Sequence, residues 1–352
     1  MLAELGGLGC GLVAGAAARS GRLCTMSAIE DAVVARDFRA AKAWGLALAV
    51  AILATQALAA GGWIDLGASS IAGATLDWVA TLAGGALFGL GMALAGTCSF
   101  GLLVRIGGGD LRALISAAAV GVAAFAFTAG VLQPLRTLVT GHAVIDVGEA
   151  GAALSLAITP HLAAAAGLPL MPLGLGALVI VLALPALVDG RVRRRRRLIV
   201  AAFGIGLAVA AGWAVTMAAV ERLEEARVES LSFVAPTGRL LLALMGEPLQ
   251  FAAFGVATVV GTVLGATAVA LWKDEVRWEA FDDAREMRRH LAGAILMGLG
   301  GVLARGCTIG QGMTAGSALA VSAPVAVLGF LIGAKIGLVL LLEGRGHWRL
   351  GT

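Results

Sequence analysis

The chain has 352 residues, 59% of them hydrophobic and 14% charged, with a net charge of +4. A soluble domain carries roughly 25% charged residues, so a fully water-solvated protein is excluded and lipid is the expected solvent. Apolar runs stay continuous over about twenty residues, where a membrane barrel would alternate over about ten, so the spanning element is helical.

In chain order, apolar runs predict spans near 5–18, 43–60, 79–95, 113–133, 170–188, 198–220, 250–272, 291–305 and 317–342. The first, third and eighth are short for a bilayer core that needs about twenty residues, and each runs into a Gly-rich segment bearing a cysteine. Half-helices or re-entrant hairpins are expected there. The N-terminal stretch MLAELGGLGCGLVAGAAARSGRLC lacks the basic start and cleavage site of a signal peptide and reads as mature structure. Basic residues from Arg19 to Lys42, from Arg191 to Arg197 and from Lys273 to Arg289 belong on the cytoplasmic face, while 61–78 and 137–169 contain no Lys or Arg and face outward. Alternating nine spans through these loops puts every basic one on the same side and the N-terminus outside. The expected fold is an all-α, multi-pass inner-membrane protein of about nine transmembrane helices plus short half-helices.

An internal repeat appears when GGALFGLGMALAGTCSFG (84–101) is laid over GAILMGLGGVLARGCTIG (293–310), with Cys98 on Cys307. The two segments are the third and eighth spans, an odd separation, so the copies should run in opposite directions. The chain is thus expected to be a single membrane domain of two inverted pseudo-symmetric halves, 1–188 and 198–352, joined by the basic stretch 189–197. Such repeats place a site near the midplane, where broken helices of both halves meet.

Polar groups inside apolar helices are costly in lipid unless paired or useful. Cys24, Cys98 and Cys307 stand out, each with glycine nearby to let a helix break and turn backbone N–H groups toward an anion. Cys10, in GLGCGLVAG, reads as a small packing residue. A neutral thiol is a weak donor and a soft acceptor, able to touch a sulfur atom without trapping it. A thiolate about 4 Å from a dianion would instead repel it by about 8 kcal/mol at an intermediate dielectric. Arg19, Arg22, Arg105 and Arg305 lie near the cysteines in sequence, and Lys335 sits mid-way along the last span. These cations, with Gln311 of GCTIGQG, complete the candidate binding set. Thr97, Ser99 and Thr308 are expected to satisfy backbone freed at the helix breaks, with donation to sulfonate oxygens as the alternative. Glu30 and Asp31 are expected to pair with Arg22, Arg36 or Arg39. ERLEEARVE at 221–229 reads as a solvated helix. RIGGGD at 105–110 lacks the lysine and strand of a phosphate-binding loop, so nucleotide binding is excluded. Four scattered histidines make no metal cluster, and no cofactor or nucleic-acid partner is implied.

At four places, GRLCTMSAIEDAV (21–33), LAGTCSFGLLVRIGGGDLRAL (94–114), ESLSFVAPTGRLLLALMG (229–246) and HLAGAILMGLGGVLARGCTIGQGMTAGSALAV (290–321), the sequence resembles the YeeE/YedE family of sulfur-transport membrane proteins. The resemblance implies a compact monomer of two inverted halves in which thiosulfate passes three cysteines, matched here by Cys24, Cys98 and Cys307. It also implies a small cytosolic sulfurtransferase of the TusA-like kind as functional partner. Thr97 stands where many members carry glycine, and some relatives are linked to selenium. Beside a non-enzymatic thiosulfate transporter, three alternatives stay open: a selenium-compound transporter, a thiol enzyme or persulfide carrier, and a structural membrane subunit. A dithiol enzyme commonly uses CxxC, which is absent here.

Overall fold

A computed structural model describes residues 2–69, 71, 75–146, 170–222, 227–246 and 253–347. Most of the arginine-free 137–169 loop and the middle of ERLEEARVE (223–226) therefore lie outside the described residues.

The helices in chain order are α1 (Leu2–Gly21), α2 (Thr25–Val33), α3 (Arg39–Ala60), α4 (Trp78–Ala95), α5 (Ser99–Ile106), α6 (Leu111–Thr128), α7 (Gln133–Val139), α8 (Leu170–Val188), α9 (Gly190–Arg193), α10 (Arg196–Val220), α11 (Ala235–Leu244), α12 (Phe254–Trp272), α13 (Ala284–Leu303) and α14 (Ser322–His347). Among the described residues, six helical stretches are long and apolar enough to cross a membrane: α3, α4 with α5, α6, α10, α12 and α14. The protein is therefore a multi-pass membrane protein. Helices also underlie the remaining three predicted stretches as α1, α8 and α13. Helix α13 opens on the charged run AREMRRH, which lowers its apolar length. Two three-residue strands, β1 (Thr75–Asp77) and β2 (Val144–Asp146), depart from the all-helical expectation and pair antiparallel, Leu76 opposite Ile145.

Aspartates start several helices. Asp77 accepts from Ala80 N at 3.1 Å at the head of α4, and Asp110 accepts from Arg112 N and Ala113 N at the head of α6. Asp283 accepts from Glu286 N at 2.6 Å at the head of α13. Each carboxylate satisfies amides that the first turn leaves orphaned.

Lipid offers no hydrophobic drive between helices, so packing must come from close backbone approach through small residues. Helix α4 lies against α13 and α14, α13 also against α6, α1 against α12 and α10, and α10 against α3. The α4–α13 contact shows why glycine is required. A methyl carbon on Gly91 would sit 2.5 Å from Gly293 O, and one on Gly293 would sit 2.7 Å from Gly91 O. Gly84 and Gly300 meet one another in the same reciprocal way, at 2.8 and 2.5 Å.

The RIGGGD loop has a structural role. Arg277 N donates to Gly108 O at 2.9 Å and Leu111 N to Glu279 O at 2.9 Å, bracing the loop against 277–279. Arg112 then ties Asp110, Glu279 and Glu286 together.

Candidate functional site

Each of the three singled-out cysteines follows, by two residues, a residue in left-handed backbone: Arg22 (φ 52°) before Cys24, Gly96 (φ 69°) before Cys98 and Arg305 (φ 56°) before Cys307. That turn ends the preceding helix and starts the next segment at the cysteine itself. Cys24 and Cys98 are the N-cap residues of α2 and α5. Cys98 Sγ accepts from Gly101 N at 3.4 Å, and Cys307 Sγ accepts from Gly310 N at the same distance. Beyond Cys307 the chain makes a π-helical turn over Gly310–Ala315, in which Thr314 N donates to Ile309 O at 2.8 Å. Such turns recur at functional sites.

Side chains from distant parts of the chain then form a continuous track. Cys24 Sγ lies 3.4 Å from Oγ1 of Thr97, the residue before Cys98. Cys98 Sγ lies 4.0 Å from Thr25 Oγ1, which donates to Thr308 Oγ1 at 3.5 Å, next in sequence to Cys307. Cys98 and Cys307 are fully buried, whereas Cys24 is half-buried. Thr97 and Thr308 therefore face thiol and hydroxyl partners, correcting the expectation that they serve the backbone. Ser99 Oγ is buried and has no hydrogen-bond partner.

Cys24 opens into a cavity of about 480 Å³ on the face that carries the basic loops. Arg19, Arg22, Arg105 and Arg277 line it, with Asp274, Glu275, Ser27 and Thr97. Arg22 Nη2 donates to Glu275 Oε1 at 3.1 Å, and Arg19 Nη2 to Glu275 O at the same distance. The Arg22 guanidinium holds the Glu275 carboxyl below the usual carboxylate range. Arg105 reaches back to Gly96 O at 3.2 Å, fixing the turn before Cys98. Arg22 thus takes Glu275, and Arg39 takes Asp37 two residues away, in place of the expected Glu30 and Asp31. Beside Thr25 and Thr308 lies a second cavity, about 380 Å³ and apolar, walled by Ile29, Trp44, Leu48, Val327 and Phe330.

The other candidates stand apart from this cavity. Gln311 is buried, its Nε2 donating to Arg305 O at 3.4 Å and its Oε1 accepting from Ser322 Oγ at 3.1 Å, so its amide holds the turn after α13. Arg305 is exposed at that turn. Lys335 lies on the exposed face of α14 among Leu331, Ile332, Ile336 and Leu340, not with the cysteines. Arg277, Glu275 and Thr25 were not picked out from the sequence. Arg277 and Glu275 sat within a basic loop read only as a topology signal, and Thr25 carries no signal beyond following Cys24.

Comparison with known proteins bears on this arrangement. The sulphur-transport family matches residues 20–336. The thiosulfate transporter TsuA of Escherichia coli (strain K12) is 33% identical over 87 residues, 25% of this chain and 24% of that protein. The match therefore spans about a quarter of the length of that relative. Because the family match runs from before Cys24 to beyond Cys307, the chain belongs to the sulphur-transport (YeeE/YedE) family.

Proposed function

We propose that the protein takes up thiosulfate across the inner membrane into the cytoplasm, and that the anion passes Cys307, Cys98 and Cys24 in that order. The observation that carries this reading is the track just described: Cys24 and Cys98 touch threonine hydroxyls that lead to Thr308, the residue after Cys307, and the track ends in an arginine-lined cavity. Weak contacts at successive points let an ion enter and leave again. The thiols are read as protonated, since a thiolate would repel a dianion. The similarity to a thiosulfate transporter supports thiosulfate over a selenium compound. On this reading the protein is a transporter and not an enzyme, and it acts as a monomer.

The reading includes nine spans and two inverted halves. Support comes from the way contacts exchange. Matching α4 with α13, α6 with α14, α1 with α10 and α3 with α12 turns the α4–α14 contact into α13–α6, and α1–α12 into α10–α3. The paired glycines obey the same exchange, Gly84 with Gly300 becoming Gly293 with Gly91. The arginine-lined cavity then lies on the cytoplasmic face, where a TusA-like sulfurtransferase would collect the anion.

The test is growth on thiosulfate as sole sulfur source, and uptake of radiolabelled thiosulfate, in a strain lacking other uptake systems. Cys24→Ala, Cys98→Ala and Cys307→Ala should each abolish both, with Cys10→Ala unaffected. Wild-type growth of Cys307→Ala at equal abundance would sink the proposal. The half-buried Cys24 thiol, which opens into the arginine-lined cavity, favours one further reading, persulfide carriage. There a thiol would take the outer sulfur of thiosulfate, keep its proton on the new persulfide and release sulfite. Mass spectrometry of alkylated Cys24 peptides after thiosulfate loading separates the two, because the pore reading expects an unmodified thiol.

A further inference from the structure

We propose that Ser232 is an anion contact on the outer half of the path, the counterpart of Cys24 on the inner half. The inference rests on the two-halved transport reading above and adds a residue and a chemistry to it.

Gly101 and Gly310 occupy equivalent places in the repeat, three residues after Cys98 and Cys307, and each donates its amide to that cysteine. A methyl carbon on Gly101 would sit 3.6 Å from Cys24 Sγ. One on Gly310 would sit 3.0 Å from Ser232 Oγ. Ser232 therefore stands toward Cys307 as Cys24 stands toward Cys98. The neighbouring residues agree: Leu23 and Leu231 are buried, Cys24 and Ser232 are half-buried, and Met26 and Val234 are buried. Thr314 Oγ1 donates to Leu231 O at 2.7 Å and pins the segment carrying Ser232 to the π turn beyond Cys307.

Two hydroxyls, one from each half of the chain, lack partners. The Ser232 hydroxyl makes no hydrogen bond among the described residues, and Ser99 Oγ is an orphan in a side chain 3% exposed. The correspondence accounts for Ser99. Its equivalent, Thr308, accepts from Thr25 Oγ1, but the equivalent of Thr25 is Phe233, which has no hydroxyl to give. A buried hydroxyl without a partner costs free energy unless a ligand or water completes it. A hydroxyl donates to hard sulfonate oxygens and a thiol touches a soft sulfur atom. The Cys307–Ser232 pair therefore suits an anion with one sulfur end and one oxygen end, as the inner Cys98–Cys24 pair does with the Thr97 and Thr25 hydroxyls beside it.

The experiment uses the full-length protein in cells lacking other thiosulfate uptake, with Ser232→Ala and Ser232→Cys at wild-type abundance. Ser232→Ala should raise the half-saturation concentration for radiolabelled thiosulfate about tenfold or more, the loss of one hydrogen bond to a charged acceptor, with the maximal rate kept. Ser232→Cys should restore part of that loss. In a background with Cys10, Cys24, Cys98 and Cys307 replaced by alanine, Ser232→Cys should react with a membrane-impermeant thiol reagent from the outer face. An unchanged half-saturation concentration in Ser232→Ala, or labelling from the cytoplasmic face only, would overturn the assignment while leaving the transport reading intact. Absence of thiosulfate uptake by the wild-type chain would overturn the transport reading and the ligand given to Ser232 with it, and outer-face labelling would then be the surviving part.

Discussion

Gly96 and Arg305 hold the same left-handed backbone two residues ahead of Cys98 and Cys307, with φ of 69° and 56°. Glycine adopts this geometry freely, whereas a residue with a Cβ bears about 1 kcal/mol of strain. Arg305→Gly should therefore raise stability by about 1 kcal/mol, read as a higher melting temperature in detergent. Its affinity for thiosulfate should fall about threefold, because an exposed cation beside Cys307 is lost. Uptake affinity equal to wild type would confine Arg305 to the turn.

Gly91→Ala should lower the yield of folded protein. The added methyl would meet Gly293 O at 2.5 Å, and separating α4 from α13 should cost about 2 kcal/mol. Gly9→Ala is the control, since no atom lies within 4 Å of the added carbon. It should be neutral or stabilising by about 0.5 kcal/mol. Size-exclusion profiles of the two variants check both.

Thr97→Val keeps shape and removes the hydroxyl 3.4 Å from Cys24 Sγ. Uptake should drop about fivefold, the worth of about 1 kcal/mol of hydrogen bonding, with unchanged abundance. A fully active Thr97→Val would show that the Cys24–Thr97 contact is packing only.

Glu275 supplies a pH prediction. Its hydrogen bond from Arg22 holds the folded-state pKa below the ordinary value of about 4.3. The pairing therefore contributes stability above that ordinary value and loses it as pH falls through the lower folded one. Wild-type melting temperature should fall with acidification below about pH 4, and Glu275→Gln should lack this component. Uptake between about pH 6 and 8 should be insensitive to it. The same variant removes a negative charge from the arginine-lined cavity and should slow release of the dianion severalfold, measured as efflux from preloaded vesicles.

Lys335→Leu should leave the half-saturation concentration unchanged and stabilise the protein slightly. The side chain lies among exposed apolar residues of α14 and away from the track, where snorkelling is its only relief. A clear loss of uptake would show that the lysine reaches the anion.

The sequence by itself determined the solvent, the helical class and the positions of the cysteine-bearing breaks. Those properties follow from local chemistry: continuous apolar runs in α3, α10 and α12, and the Gly-rich turns around Cys98 and Cys307. It also carried the likeness between 84–101 and 293–310, because identical backbone demands select the same glycines. The tertiary structure alone decided which polar groups meet. Thr25 reaches Thr308 across 283 residues, and Glu275 reaches Arg22 across 253. No spacing rule encodes such pairs, since they depend on how helices from separate parts of the chain cross. The same holds for Lys335 and Gln311. A lysine near the middle of an apolar run looks alike in sequence whether it faces a path or the lipid, and only the packing of Gly333, Ala334 and Gly337 inward turns Lys335 out. Gln311 looks free until Ser322, eleven residues on, folds back to occupy its carbonyl.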